Sequence, residues 1–161
     1  MTATKAQAEK MMALFAGRMD AHGTHGEPQR KGLKWEIKTT ARTLREPVTV
    51  EIWLKHLEGK RPLGVVAIDE NATCHWGSID FDEYDDIDVV TLIRAAERWP
   101  LVPCRSKSGG LHFFLFTSEP VPAGDMLATL RAVAASMGMA GSEIFPKQAN
   151  VLTERGDIGN W

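Results

Sequence analysis

The sequence predicts an α+β fold. Two observations predict it: four stretches carry apolar residues at helical spacing, and short apolar segments between them read as hairpin-connected strands. From Ala6 to about His22, the residues Ala8, Met11, Met12, Phe15 and Met19 recur with a helical period and predict an amphipathic helix packed on the core. The HGTHGEPQRKG that follows is punctuated by glycine and proline without a period and reads as a solvated loop, with Arg30, Lys31 and Lys34 available to a polyanion. Residues 48–58 set Val50, Trp53, Leu54 and Leu57 on one side of a second helix, with Thr49 as its cap and Gly59 as its stop. His56 on that helix reads as a surface or internally satisfied histidine.

PLGVVAID is expected to form a short strand, joined through DENA in a hairpin to a second strand, CHWGSIDFD. Asp86 to Trp99 reads as a third helix, with Val89, Leu92, Ile93 and Ala96 inward, Arg94 and Arg98 in solvent and Pro100 as its end. LVPCRS and LHFFLF form a second hairpin about KSGG. Pro120 and Pro122 are expected to bound a loop. Gly124 to Met137 is a fourth helix, with Met126, Leu127, Leu130, Val133 and Ala134 inward and Gly138 as its stop. SEIFPKQ is a short strand ended by Pro146, and the tail from Ala149 to Trp161 has no clear period.

A chain of 161 residues is expected to be a single domain, long enough to bury one core. Hydrophobic residues make up 43% and charged residues 25%, a balance that excludes a mostly disordered chain. The net charge of −2 neither favours nor excludes a nucleic-acid partner, because local arrangement decides whether a cleft attracts phosphate. Cys74 and Cys104 lie far apart without ligand-pair spacing, so neither a disulfide scaffold nor a zinc ribbon is indicated, and His22 and His25 complete no recurrent zinc pattern with them. A reducing cytoplasm fits this usage. No apolar run approaches the roughly 20 residues a bilayer crossing needs, so no membrane partner is expected.

Chemistry concentrates in SIDFDEYDDID, residues 78–88. Ile79 and Phe81 interleave with Asp80 and Asp82, so a strand turns both aspartates to one face about 7 Å apart. Carboxylates at that spacing suit a pair of divalent ions, Mg²⁺ or Mn²⁺, of the kind that steadies attacking and leaving oxygens in phosphoryl transfer. Asp85, Asp86 and Asp88 are explained by the cap and first turn of the next helix. An EF-hand beginning at Asp80 is excluded, because its sixth position is Asp85 and its twelfth Thr91.

RSKSGGLHFFLF is the second candidate. Its glycine pair lets backbone approach a ligand, Ser108 and nearby N–H groups can cradle phosphate oxygens, Arg105 and Lys107 add charge, and His112 can donate to phosphate. A plain hairpin turn is the competing reading. Glu143, an acid on a short and otherwise apolar strand, is open to two readings: third metal ligand or edge-strand surface residue. Lys147 and Gln148, just beyond, are candidates to touch a triphosphate or a template backbone, and Asn160 in GNW is either a nucleotide contact or a turn residue.

In the order DFD, SKSGGLH, EIFPKQ and GNW, the chain resembles the archaeo-eukaryotic primase superfamily, most closely the branch found in TOTE conflict systems and phage or mobile-element replication proteins. LKHLEGKRPLGVVAIDENATCHWGSIDFD is similar to that branch too, so the resemblance runs from about His22 to the end. It implies an RRM-like antiparallel catalytic sheet with an N-terminal α/β unit and helices packed on the sheet. It also implies Asp80, Asp82 and Glu143 as ligands of two Mg²⁺ or Mn²⁺ ions, converging beside the glycine hairpin. Catalysis would rest on these acids and His112, and the nucleotide on Arg105, Lys107, Ser108, Gly110, His112 and Lys147. The implied function is a DNA primase/polymerase that adds nucleoside triphosphates to a nucleic-acid 3′-hydroxyl on a single-stranded or primed template, beside a helicase. In that branch further strand and helix follow GNW, so the chain is expected to be a C-terminally shortened piece. Two alternatives stand beside this one: a nucleotide-sugar glycosyltransferase, which also uses Asp-x-Asp, and a non-catalytic single-strand-binding module stacking bases on Phe113 or Trp76.

Overall fold

The computed structural model describes residues 2–26, 29–30, 37–38, 40–82, 88–106 and 109–161. Helix α1 (Lys5–Leu14) opens with a capping box in which the Thr4 hydroxyl accepts from the Gln7 amide and the Gln7 side chain accepts from the Thr4 amide. The helix stops well short of His22, contrary to the periodicity. Phe15 leaves the helical path to bring its ring edge-on to Trp76, Phe114 and Phe116, with centroids 5.2–5.4 Å apart, and the Arg18 amide donates to the Val66 carbonyl. Met19, read as an inward residue, is 42% exposed.

The stretch expected as loop is strand in part. β1 (His22–His25) pairs antiparallel with β4 (Ala41–Leu44), and β2 (Gln29–Arg30) pairs with β3 (Ile37–Lys38). Lys31 and Lys34 lie outside the described residues. Helix α2 (Val50–Leu57) is capped by Thr49, whose hydroxyl accepts from the Ile52 amide, and it buries Ile52 and Trp53. His56 is satisfied by the Arg61 carbonyl at 3.2 Å.

PLGVVAID is not a strand and forms no hairpin with the segment after it. Val66, Ala67 and Ile68 are buried, but their stretch is engaged elsewhere: Gly64 bridges Gly23, and the Val66 carbonyl takes the Arg18 amide. The next strand, β5 (Thr73–Phe81), pairs with β7 (Leu111–Pro122) on one edge and, at Ser78–Asp80, with β8 (Glu143–Phe145) on the other. DENA still turns tightly, because the Asp69 carboxylate accepts from the amides of Asn71 and Thr73 and from the Thr73 hydroxyl.

After β5 come α3 (Val89–Ala96), capped by Asp88, then β6 (Leu101–Arg105), β7 (Leu111–Pro122), α4 (Ala123–Ser136) and β8 (Glu143–Phe145). Asp85 and Asp86 lie outside the described residues. Sheet order is β6-β7-β5-β8, antiparallel throughout, so the βαββαβ run forms the split arrangement of RRM-like sheets, as expected. Pro120 and Pro122 are strand residues, not loop bounds. Beyond Leu115, β7 has no β6 partner, so these prolines withhold no ladder donor on that side.

One face of the sheet, carrying Ile79, Leu111, Phe113 and Ile144, packs on α4 through Met126, Leu127 and Leu130 and forms the main core. A smaller core joins α1 and α2 through Ala8, Val48 and Trp53. The other sheet face carries Trp76, Ser78, Asp80, His112 and Phe114, and Phe15 leans on its aromatic end.

Candidate active site

Strict alternation along three strands assembles the site. Asp80 on β5 stands opposite His112 on β7 and opposite Glu143 on β8, and Cys104 on β6 extends the row beyond His112. Residues directly opposite in antiparallel pairs project from one face, so this row is a register effect, and Ser78, Phe114 and Phe145 form the next row on the same face. Phe113, proposed as a stacking platform, is fully buried on the other side against α4, and Phe114 occupies the cleft position in its place.

Asp80 Oδ1 lies 3.1 Å from His112 Nε2. The contact is an ion-pair approach without hydrogen-bond geometry, and that oxygen is buried with no hydrogen-bond partner. The Asp80 carboxylate beside it holds the His112 imidazolium above the usual histidine range, against the opposing pull of burial, and Asp82 adds to the effect.

Asp82 follows the last residue of β5 and is exposed. It meets the hairpin between β6 and β7. A side chain on Gly110 would stand 2.5 Å from the Phe81 carbonyl and 3.3 Å from Asp82 Oδ1, so glycine there lets the hairpin backbone close against the end of β5. Gly109 has φ +104, and the loop is tied by the Ser106 amide donating to the Gly110 carbonyl at 2.9 Å. Lys107 and Ser108 lie outside the described residues. Arg105 pairs with Leu111, on the face turned away from His112, so the register does not bring it into the row.

Glu143 is held by Lys147, with Nζ 2.7 Å from Oε1, and the same ammonium sits 4.7 Å over the Phe145 ring. Two cavities meet at Asp80 and Glu143. One, of about 770 Å³, lies over the sheet and is lined by His112, Trp76, Phe114 and Phe145, with His25, Asn160 and Trp161 from the N- and C-terminal segments. The other, of about 860 Å³, opens at the end of β5 and is lined by Asp82, Ser142, Arg131 and Lys147. The sequence pattern did not single out Arg131, Phe145 or Trp161. Each is one residue on an element whose position relative to Asp80 depends on tertiary pairing.

For a divalent cation, the donor chemistry fits in kind: three carboxylates, which are hard oxygen donors, line one cavity, with His112 Nε2 3.1 Å from Asp80 Oδ1. Among the described residues no three His, Cys, Asp or Glu stand at metal-holding spacing, and Glu143 must exchange its ammonium partner for the ion. Both cysteines are free thiols, Cys74 buried and Cys104 exposed. Among the described residues no helix is long and apolar enough to cross a membrane.

No curated protein matches the chain. A sequence model of the archaeo-eukaryotic primase domain of TOTE conflict systems matches residues 6–161, nearly its whole length, and the chain belongs to that family of primase-like nucleotidyltransferase domains.

Proposed function

We propose that the chain is the catalytic domain of a metal-dependent primase-polymerase, which joins a nucleic-acid 3′-hydroxyl to the α-phosphate of a nucleoside triphosphate on a template. The observation that carries this reading is the His112–Asp80–Glu143 row, two carboxylates and an imidazole set side by side by strand register, at the junction of an aromatic cavity and a charged one. Asp80, Asp82 and Glu143 would hold two Mg²⁺ or Mn²⁺ ions, which would offset the charge of attacking and leaving oxygens.

The chain's own groups do the rest. His112, whose protonated form Asp80 favours, donates to the triphosphate and offsets the charge that develops on the departing pyrophosphate. Gly110 keeps the hairpin backbone close to that phosphate, where Ser108 and Lys107 are assigned by family resemblance. Phe114, Phe145 and Trp76 offer ring faces to the base, stacking that tolerates any base and leaves selection to the template. Nucleoside triphosphates and single-stranded or primed template are then the partners, and a helicase is the natural source of the single strand.

The test is incubation with Mn²⁺, a single-stranded or primed template and labelled triphosphates, with products resolved by length. A ladder from the wild type that disappears in Asp80→Asn supports the reading. Metal-independent strand binding without incorporation by the wild type replaces it with the non-catalytic binding module.

A further inference from the structure

The functional reading above uses the carboxylates of the charged cavity and gives no role to the rest of its lining, which is unlike that of its neighbour. The two cavities share Asp80 and Glu143, but His112 lines the aromatic one alone and Arg131 the charged one alone. Arg131 projects from the exposed side of α4 and forms no ion pair among the described residues. Around it the walls are small: Ala134, Ala135, Ala140 and Gly141 leave room for a bulky backbone to come close. A guanidinium in such a setting is matched in shape to a phosphodiester, which it grips with two parallel N–H donors.

Three carboxylates share this cavity with two cationic side chains, so a phosphate is repelled from it until divalent ions shift the balance. Nucleotidyl transfer supplies the direction. The entering hydroxyl and the departing pyrophosphate lie roughly in line on opposite sides of the α-phosphorus, so they approach Asp80 from different flanks. With the triphosphate on the His112 flank, the strand that bears the hydroxyl is left the Arg131 flank.

We infer that the cavity between α4 and β8 holds the 3′ end of the primer strand, with Arg131 gripping a backbone phosphate next to the terminal nucleotide. This rests on the nucleotidyl-transfer reading. In the step it serves, the bond from the 3′-oxygen to the α-phosphorus forms, the bond from the α-phosphorus to the bridging oxygen breaks, pyrophosphate departs, and the hydroxyl proton passes to water. Arg131 is a positioning residue: it places the strand and does not touch the reacting phosphorus.

The experiment compares wild type, Arg131→Ala and Arg131→Lys in two assays. The first measures binding of a fluorescent primer–template by anisotropy with Mn²⁺ and no triphosphate, across a range of salt concentrations. The second measures single-nucleotide extension, with KM determined separately for primer–template and for triphosphate. Arg131→Ala is expected to weaken strand binding about tenfold whatever the sequence, to lower its salt slope by about one, and to raise KM for primer–template while leaving KM for triphosphate unchanged. Lysine should restore the salt slope and part of the affinity. Unchanged strand binding and slope in Arg131→Ala, or a rise confined to the triphosphate KM, overturns the inference. Absence of extension in the wild type defeats the parent reading instead, and the anisotropy arm still decides whether Arg131 grips a strand.

Discussion

Asp80 and His112 face each other across β5 and β7, with 3.1 Å between carboxylate and imidazole. The pair raises the histidine above its ordinary value, so the sign of its contribution to folding is fixed. The stabilisation is fully present below the unfolded histidine value, about pH 6.5, and is lost as pH rises through the higher folded value. In metal-free protein, Asp80→Asn should move the His112 titration back down, as read from the imidazole C–H shifts by NMR. Denaturation of wild type and His112→Gln should show the wild-type advantage at acidic pH and its disappearance at alkaline pH. An advantage that grows with pH would contradict the pairing.

Glu143 and Lys147 form a contact whose structural and catalytic worth can be separated. The carboxylate is 57% exposed and the ammonium 36%, so the pair contributes little to folding. Glu143→Gln is expected to shift urea stability by no more than about 0.5 kcal/mol and to lower nucleotide incorporation by about a hundredfold. Matched losses of stability and activity would make Glu143 a scaffold residue; retained incorporation would remove it from the ligand set.

What the sequence disclosed and what it hid divide along physical lines. Alternation in CHWGSIDFD and LHFFLF is local, and it separates Asp80 from Ile79 and His112 from Phe113 within each strand, whereas the register that sets Asp80 opposite His112 is tertiary. Alternation tells which residues share a face and not which face is covered, so the sequence alone does not distinguish Phe113, which is buried, from Phe114, which lines the cleft. Helical period carried α1 too far, because Met19 fits the phase although Phe15 and Arg18 are claimed by tertiary contacts. The His22–His25 strand was illegible, since its polar, glycine-bearing sequence is a strand only by virtue of a partner about twenty residues on and of Trp161 packed against it. Val65 to Ile68 has strand composition, but its stretch is claimed by other segments: Gly64 bridges Gly23, and the Val66 carbonyl takes the Arg18 amide. Arg131 was out of reach, as nothing in an amphipathic period tells which polar position of α4 overlooks the carboxylates.

Trp161 is packed on two glycines of different segments. A Cβ at Gly23 would stand 1.9 Å from the indole, one at Gly64 would stand 2.0 Å from it, and the indole N–H donates to the Thr43 hydroxyl at 3.1 Å. The ring thus closes the bridge between Gly23 and Gly64 on one side and edges His25 on the other. Trp161→Ala is expected to cost about 2 kcal/mol in urea denaturation, below the range for a fully enclosed ring. Gly23→Ala should cost a similar amount by expelling the indole, and the double variant should fall short of the sum, because both changes remove one packing arrangement. Strict additivity would separate the two sites.

Cys74 and Cys104 should differ sharply toward thiol reagents. Cys74 is 1% exposed, and burial, with Asp69 nearby, pushes its thiol up to about 11. Cys104 is exposed on β6 in the row of His112. At pH 8, alkylation followed by mass spectrometry should therefore modify Cys104 alone in the folded protein, and Cys74 should react only as fast as the chain opens, accelerating with urea. Because Cys74 belongs to the main core beneath the sheet, its protection also reports on that core. Early modification of Cys74 in native buffer would mean that β5 is not packed as described, and the placement of Asp80 six residues along the same strand would fall with it.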